Sequence, residues 1–305
     1  MTSALSPSVV AAIDDLELAA RLVVEGLRAG GHRSPFHGYS AEFQQHRPYR
    51  AGDDLKYLDW KILARTDRLY SKQFRETTSM SVMLVLDASA SMAFPDDGVS
   101  KFRYACLTTA ALAYLISSQG DAVGLMTWAG GRLSYVPARG GRPHLRSLIA
   151  HIDRLNAEGQ WDAPRAISRG ADLLKRRGVV LVLSDFYDAE EETRRELRRV
   201  IRRGHDVSML QVMSPEETQL AYRGDLEFED LESSERRLLD ARAVSAQYNT
   251  AVGEFLSRCR AGAHRDGVDY TLMQTDVPPE RALRDYLLQR GAQHHARHGA
   301  RWGAR

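Results

Sequence analysis

Asp87, Ser89 and Ser91 occupy alternate positions in the stretch Asp87-Ala88-Ser89-Ala90-Ser91. One carboxylate and two hydroxyls at this spacing are all oxygen donors, the set that suits a hard divalent cation such as Mg²⁺ or Mn²⁺. The apolar run Met83-Leu84-Val85-Leu86 directly before them reads as a buried strand, so the three donors emerge where a strand ends. Ligands of open α/β sheets bind at that end. Ser184-Asp185 repeats the arrangement after Val180-Leu181-Val182-Leu183. If the two strands are neighbours, Asp87 and Asp185 converge on one crevice, where two carboxylates need a cation between them or a proton on one. A plainer role is open to each residue. Asp and Ser gather at strand-to-helix turns because they cap backbone N–H groups, and Asp185 would cap a following helix.

The elements that must position these donors alternate between strand and helix from residue 81 onward. Strands are expected over Val82–Leu86, Ala122–Trp128, Val179–Leu183, Val207–Val212 and Tyr270–Met273, with a hairpin turning at Gly130-Gly131. Helices are expected over Phe102–Ser117, His144–Leu155, Ala163–Arg176, Glu190–Arg203, Ala241–Ala263 and Pro279–Gln289. The alternation argues for a mostly parallel sheet with helices on both faces. Upstream, Ser6-Pro7 opens a helix whose apolar positions run from Val9 to Leu27, and Gly30-Gly31 stops it. His32 to Tyr49 reads as irregular with short strands, and Leu69 to Phe74 as a strand. Asp225 to Asp240 is acidic and reads as a hairpin insertion. Arg290 to Arg305, with three histidines (His294, His295, His298) and no acid, reads as a disordered, solvated tail.

Composition excludes several functions. The 305 residues carry 42 basic and 40 acidic side chains, a balance that argues against bulk attraction to nucleic acid. No apolar segment is long enough to span a bilayer, and no leader precedes the first helix, so a cytoplasmic protein is expected. Cys106 and Cys259 stand far apart with no ligand spacing and read as buried free thiols. No glycine precedes a lysine, so the chain has no phosphate loop of the Walker type. A haloacid dehalogenase-like phosphatase would need an acid two residues after Asp87, where Ser89 stands.

A further cluster lies upstream of the Asp87 strand. It reads Arg47-Pro48-Tyr49-Arg50-Ala51-Gly52-Asp53-Asp54, then Leu58-Asp59-Trp60-Lys61, then Ala64-Arg65. Read for charge alone it is a surface ion-pair network of modest value. Followed by Asp87-x-Ser89-x-Ser91, it resembles the bacterial and archaeal family called domain of unknown function 58, over roughly Gly31 to Arg290. The resemblance implies a von Willebrand factor A-like, Rossmann-like fold: a mostly parallel sheet flanked by helices over 75–290. A helical and irregular extension over 1–74 would pack on it, and 291–305 would be the tail. It also implies a metal-ion-dependent adhesion site that holds Mg²⁺ or Mn²⁺ through Asp87, Ser89, Ser91 and Asp185. The implied role is a non-catalytic adaptor of MoxR-type AAA+ ATPases in chaperone-like assembly or metalloprotein maturation. An acidic residue of the ATPase or of a client would complete the metal's coordination.

The pattern departs from that family at one point. Such sites draw a threonine from a loop after a glycine, and in Glu158-Gly159-Gln160-Trp161-Asp162 a tryptophan stands there. Indole offers only an N–H donor and cannot ligate a hard cation. Asp162 is the substitute donor that the sequence offers. Three readings therefore stand: a cation-dependent adaptor, a metal-free scaffold of the same fold, and a metal-dependent hydrolase acting through the strand-end aspartates.

Overall fold

The computed structural model describes residues 6–29, 40–49, 58–77, 80–95, 97–187, 190–222, 224–232 and 235–302. In chain order, α1 (Pro7–Ala11) and α2 (Leu16–Ala29) precede β1 (Ser40–Pro48), α3 (Trp60–Thr66) and β2 (Tyr70–Thr77). Next come β3 (Ser81–Asp87), a 3₁₀ turn (Ala90–Ala93), α4 (Lys101–Ser118), β4 (Ala122–Ala129) and β5 (Arg132–Arg139). They are followed by α5 (Arg142–Asp153), α6 (Ala163–Asp172), β6 (Val179–Ser184), α7 (Glu190–Arg202) and β7 (Asp206–Met213). The chain closes with α8 (Pro215–Thr218), β8 (Asp225–Glu229), β9 (Arg236–Asp240), α9 (Ala241–Asp266), β10 (Asp269–Gln274) and α10 (Pro279–Trp302).

Six strands form the central sheet in the order β10-β7-β6-β3-β4-β5. Only β5 runs antiparallel to its neighbour. This is the 3-2-1-4-5-6 order of a doubly wound sheet, with β3 the first strand and β6 beside it across the switch point. The expected α/β class is what the chain adopts. The central strands read as unbroken apolar runs because helices cover both of their faces. Met83, Val85, Val180, Val182 and Met209 pack with Ala166, Ile167, Leu197, Val200 and Cys259 in one core, below the layer of α6, α7 and α9. The alternate residues Leu84, Leu86, Leu181 and Leu183 are equally buried and face the opposite side. There α4 lies on β3 and β4 and is flanked by α2, α5 and α10. That middle position explains why α4 is apolar nearly all round. The β4–β5 hairpin turns at Gly130-Gly131 as expected, and both glycines have the positive φ that a type I′ turn requires.

Residues 36–80 form a compact unit of their own, and residues 1–35 cluster with 81–305. The segment 1–74, read as one extension, is therefore divided. The physical reason is α2, whose buried stripe Leu16, Ala20, Val23, Val24 and Leu27 packs on α4. The single N-terminal helix is also two, because the Asp15 carboxylate accepts the Leu18 N–H at 3.0 Å and starts α2 afresh. Within the smaller unit β1 and β2 pair antiparallel, and Asp59 caps α3 by accepting the Ile62 N–H at 3.2 Å. Gly52, Asp53 and Asp54 lie outside the described residues.

The stretch after Arg290, expected to be disordered, continues α10 to Trp302. Alanine, glutamine and arginine favour helix, and extending an existing helix avoids the cost of a new nucleus. The side chains of His294, His295 and His298 lie outside the described ones. The acidic segment 225–240 forms the expected hairpin, β8 paired with β9. Cys106 and Cys259 are buried thiols that form no disulfide.

Candidate functional site

β3 and β6 are adjacent and parallel, with Leu86 beside Leu183, so their C-terminal residues end side by side. That adjacency brings Asp87, Ser89, Ser91 and Asp185 together. The Asp87 carboxylate accepts the Ser89 N–H at 2.9 Å through Oδ1. Its Oδ2 accepts the Ser184 hydroxyl at 2.6 Å. The Ser89 and Ser91 hydroxyls are 3.0 Å apart, and Ser91 donates to Asp185 Oδ2 at 3.2 Å. One chain of hydrogen bonds thus joins the two strand ends. Burial first, and the Asp185 charge second, push the Asp87 carboxyl up to about 7 against the bonds from Ser184 and Ser89.

Asp185 is held from below by its own backbone. Its carbonyl accepts Gln211 Nε2 at 2.7 Å, and Gln211 is held in turn by the Tyr270 hydroxyl at 2.7 Å. The next residue, Phe186, has φ +58°, a left-handed conformation that costs a bulky residue about 1–3 kcal/mol. The Phe186 N–H donates to Ser184 Oγ at 3.0 Å, which helps to hold that turn. Ser184 therefore serves both strand ends, donating to Asp87 and accepting from the turn.

Two residues that sequence reasoning missed complete the cluster. Lys101, the first residue of α4, is 0% exposed, and its Nζ donates to Asp185 Oδ2 at 2.7 Å. The same ammonium donates to Glu217 Oε1 at 2.6 Å. Glu217 sits in a capping box at the start of α8, just past β7, where its Oε2 accepts the Ser214 N–H at 3.1 Å. Burial opposes the charge on Lys101, but Asp185 and Glu217 outweigh it and raise the ammonium's pKa above its ordinary value. Burial pushes Glu217 upward, and the lysine pulls against that. The Lys101 ammonium also lies 5.3 Å from the centre of the Tyr187 ring, which stacks on Phe255. One signal was available in the sequence. A lysine at the first position of a helix faces the positive end of the helix dipole, so it needs acids from elsewhere.

Asp162 does not join the cluster. It caps α6, with Oδ1 accepting the Arg165 N–H at 3.0 Å. Its loop nevertheless reaches the strand end: the Ala90 N–H donates to the Gly159 carbonyl, and the Glu158 N–H to the Ala88 carbonyl. A Cβ on Gly159 would stand 2.8 Å from Gly130 Cα, so the two loops touch backbone to backbone. Trp161 turns into the core beside Trp128 and Phe186, and its indole N–H is buried without a hydrogen-bond partner. Thr108 bonds back to Tyr104 within α4, and Thr127 faces Ser134 across the hairpin.

A divalent ion needs a near-octahedral set of oxygens at about 2.1 Å, several of them free to turn toward it. Here both Asp87 oxygens already accept hydrogen bonds, and Asp185 Oδ2 is shared between Ser91 and an ammonium. Of the four donors, Asp185 is bonded to the Lys101 ammonium, a positive charge that opposes a divalent ion beside it. Among the described residues, no group of three or more His, Cys, Asp or Glu side chains comes together as a metal site. Nor is any described helix long and apolar enough to cross a membrane.

An uncharacterized Mycobacterium tuberculosis protein, Rv1480, is 30% identical over 286 residues, 92% of this chain and 87% of its own. Bacillus subtilis YeaD is 30% identical over 139 residues, 45% of this chain and 32% of its own. Among solved structures, BatB from Bacteroides thetaiotaomicron aligns with 70% of this chain and all of its own, at a TM-score of 0.46 and 16% identity. The VWA domain of SpRpn10 aligns with 68% of this chain and 94% of its own, at a TM-score of 0.41 and 11% identity. The model of the family described as protein of unknown function DUF58 matches residues 45–255. With that match, which covers more than half of its length, the chain belongs to the DUF58 family.

Proposed function

We propose that this protein is a non-catalytic interaction module that cooperates with a MoxR-type AAA+ ATPase and presents the C-terminal edge of its sheet to the ATPase or to a client. The observation that carries the reading is the state of the strand-end cluster. Its charged groups are bonded to one another, and the Tyr187 ring stands exposed beside them. Tyr187 is 40% exposed, is braced by Phe255 and follows Asp185 by two residues. A rigid, half-exposed tyrosine over a buried polar cluster has the makings of an interface anchor. The ATPase partner is what the resemblance in the sequence implies, and the reading does not run through a metal ion.

The test is binding of the full chain to the MoxR-type ATPase of the same organism, measured by biolayer interferometry with and without ATP. Tyr187→Ala is expected to weaken binding by about thirtyfold, the effect of losing a hot spot of about 2 kcal/mol. Unchanged affinity in that variant removes this edge from the interface. Metal-dependent turnover of a phosphomonoester or a nucleic acid, abolished by Asp87→Asn, would instead establish the hydrolase.

A further inference from the structure

The strand-end cluster is built around a cation that the chain itself supplies. Lys101 stands at the first position of α4, where the helix dipole disfavours positive charge, and its side chain is fully buried. A buried ammonium persists only where acids and hydrogen bonds replace its water. Its partners are Asp185 Oδ2 at 2.7 Å and Glu217 Oε1 at 2.6 Å, with the face of Tyr187 at 5.3 Å. Asp185 Oδ2 is also the oxygen to which Ser91 donates. The ammonium therefore ties together the ends of β3, β6 and β7.

We propose that Lys101 is the resident cation of this crevice. Its ammonium takes the place of the divalent ion for which Asp87, Ser89, Ser91 and Asp185 are the natural donors, and the cluster is preformed without metal. Glu217 belongs to the same device, because it supplies the second carboxylate that keeps a buried lysine charged. Trp161, turned into the core where the sequence pattern calls for a hydroxyl, fits a crevice that no longer coordinates a metal. The proposal is independent of which partner binds the edge.

The experiment is Mn²⁺ and Mg²⁺ titration of the full chain, by calorimetry and by the loss of the free-Mn²⁺ paramagnetic resonance signal. The wild-type protein is expected to show no saturable binding into the millimolar range. The double variant Lys101→Met/Glu217→Gln removes the ammonium and one of the two carboxylates that it would strand, and leaves all four donors in place. It is expected to bind Mn²⁺ at least tenfold more tightly than wild type, and Asp87→Asn added to it is expected to abolish that gain. Circular dichroism establishes that each variant is folded. Saturable wild-type binding that Asp87→Asn removes would overturn the proposal, and that arm needs no change at Lys101. A folded double variant that gains no affinity would overturn it equally, since the four donors would then form no site for a metal to fill.

Discussion

Replacing Lys101 by methionine deletes one ammonium and keeps an apolar stem of similar length. The loss strands two carboxylates, Asp185 and Glu217, whose side chains are 4% and 13% exposed. Removing one partner of a buried ion pair costs about 3–5 kcal/mol, because the other charge stays behind without compensation. Each carboxylate keeps one donor or more. Asp185 retains Ser91 Oγ at 3.2 Å and the Tyr187 N–H at 3.3 Å, and Glu217 retains the Ser214 N–H at 3.1 Å. Those bonds place the expected loss near the lower end, about 3 kcal/mol. With a urea slope of about 3 kcal/mol per molar, the unfolding midpoint should fall by about 1 M. The assay is equilibrium urea unfolding at neutral pH, followed by far-ultraviolet circular dichroism. Glu217→Gln, which leaves the Lys101–Asp185 bond intact, should cost about 1 kcal/mol. The double variant should fall short of the sum of the two single losses by about 1 kcal/mol or more, because glutamine leaves no second stranded charge. A Lys101→Met loss below about 1 kcal/mol, or strict additivity across the cycle, would refute the pairing.

Two further outcomes are expected. Asp162→Ala should cost about 1 kcal/mol through the lost cap of α6 and leave the response to Mn²⁺ unchanged; a changed metal response would put Asp162 in the site. His205 accepts the Gly178 N–H through Nδ1 at 3.3 Å, and burial, then the charge of Arg203, lowers its pKa. Below the ordinary value of about 6.5 the unfolded chain then binds more protons than the native one, so this contribution is present above that pH and is lost as pH falls through the window beneath it. His205→Asn should flatten the decline in urea midpoint between about pH 7.5 and about pH 5, and an undiminished decline would remove His205 as its cause.

Much of the fold is legible in the chain because the central strands are buried on both faces. Runs such as Val82–Leu86 and Val179–Leu183 have no other reading once turn residues and amphipathic helices bound them. The elements that escaped are those without such a run. β1 is polar, and its existence depends on pairing with β2, a contact that local pattern does not reveal. The end of α10 lacks an apolar stripe and extends a helix that earlier residues nucleate. The break between α1 and α2 hinges on one side chain, Asp15, choosing to cap.

The site divides along the same line. The sequence by itself determined that Asp87, Ser89 and Ser91 end one apolar strand and Asp185 ends another, because strand ends and donor spacing are local properties of the chain. Only the tertiary structure decided what balances their charge. It set β6 beside β3, turned Asp162 and Trp161 away, and brought Lys101 from the start of α4 to Asp185 and to Glu217 at the start of α8. Coulomb interactions and desolvation depend on distance and burial in three dimensions, and the spacing of residues along the chain specifies neither.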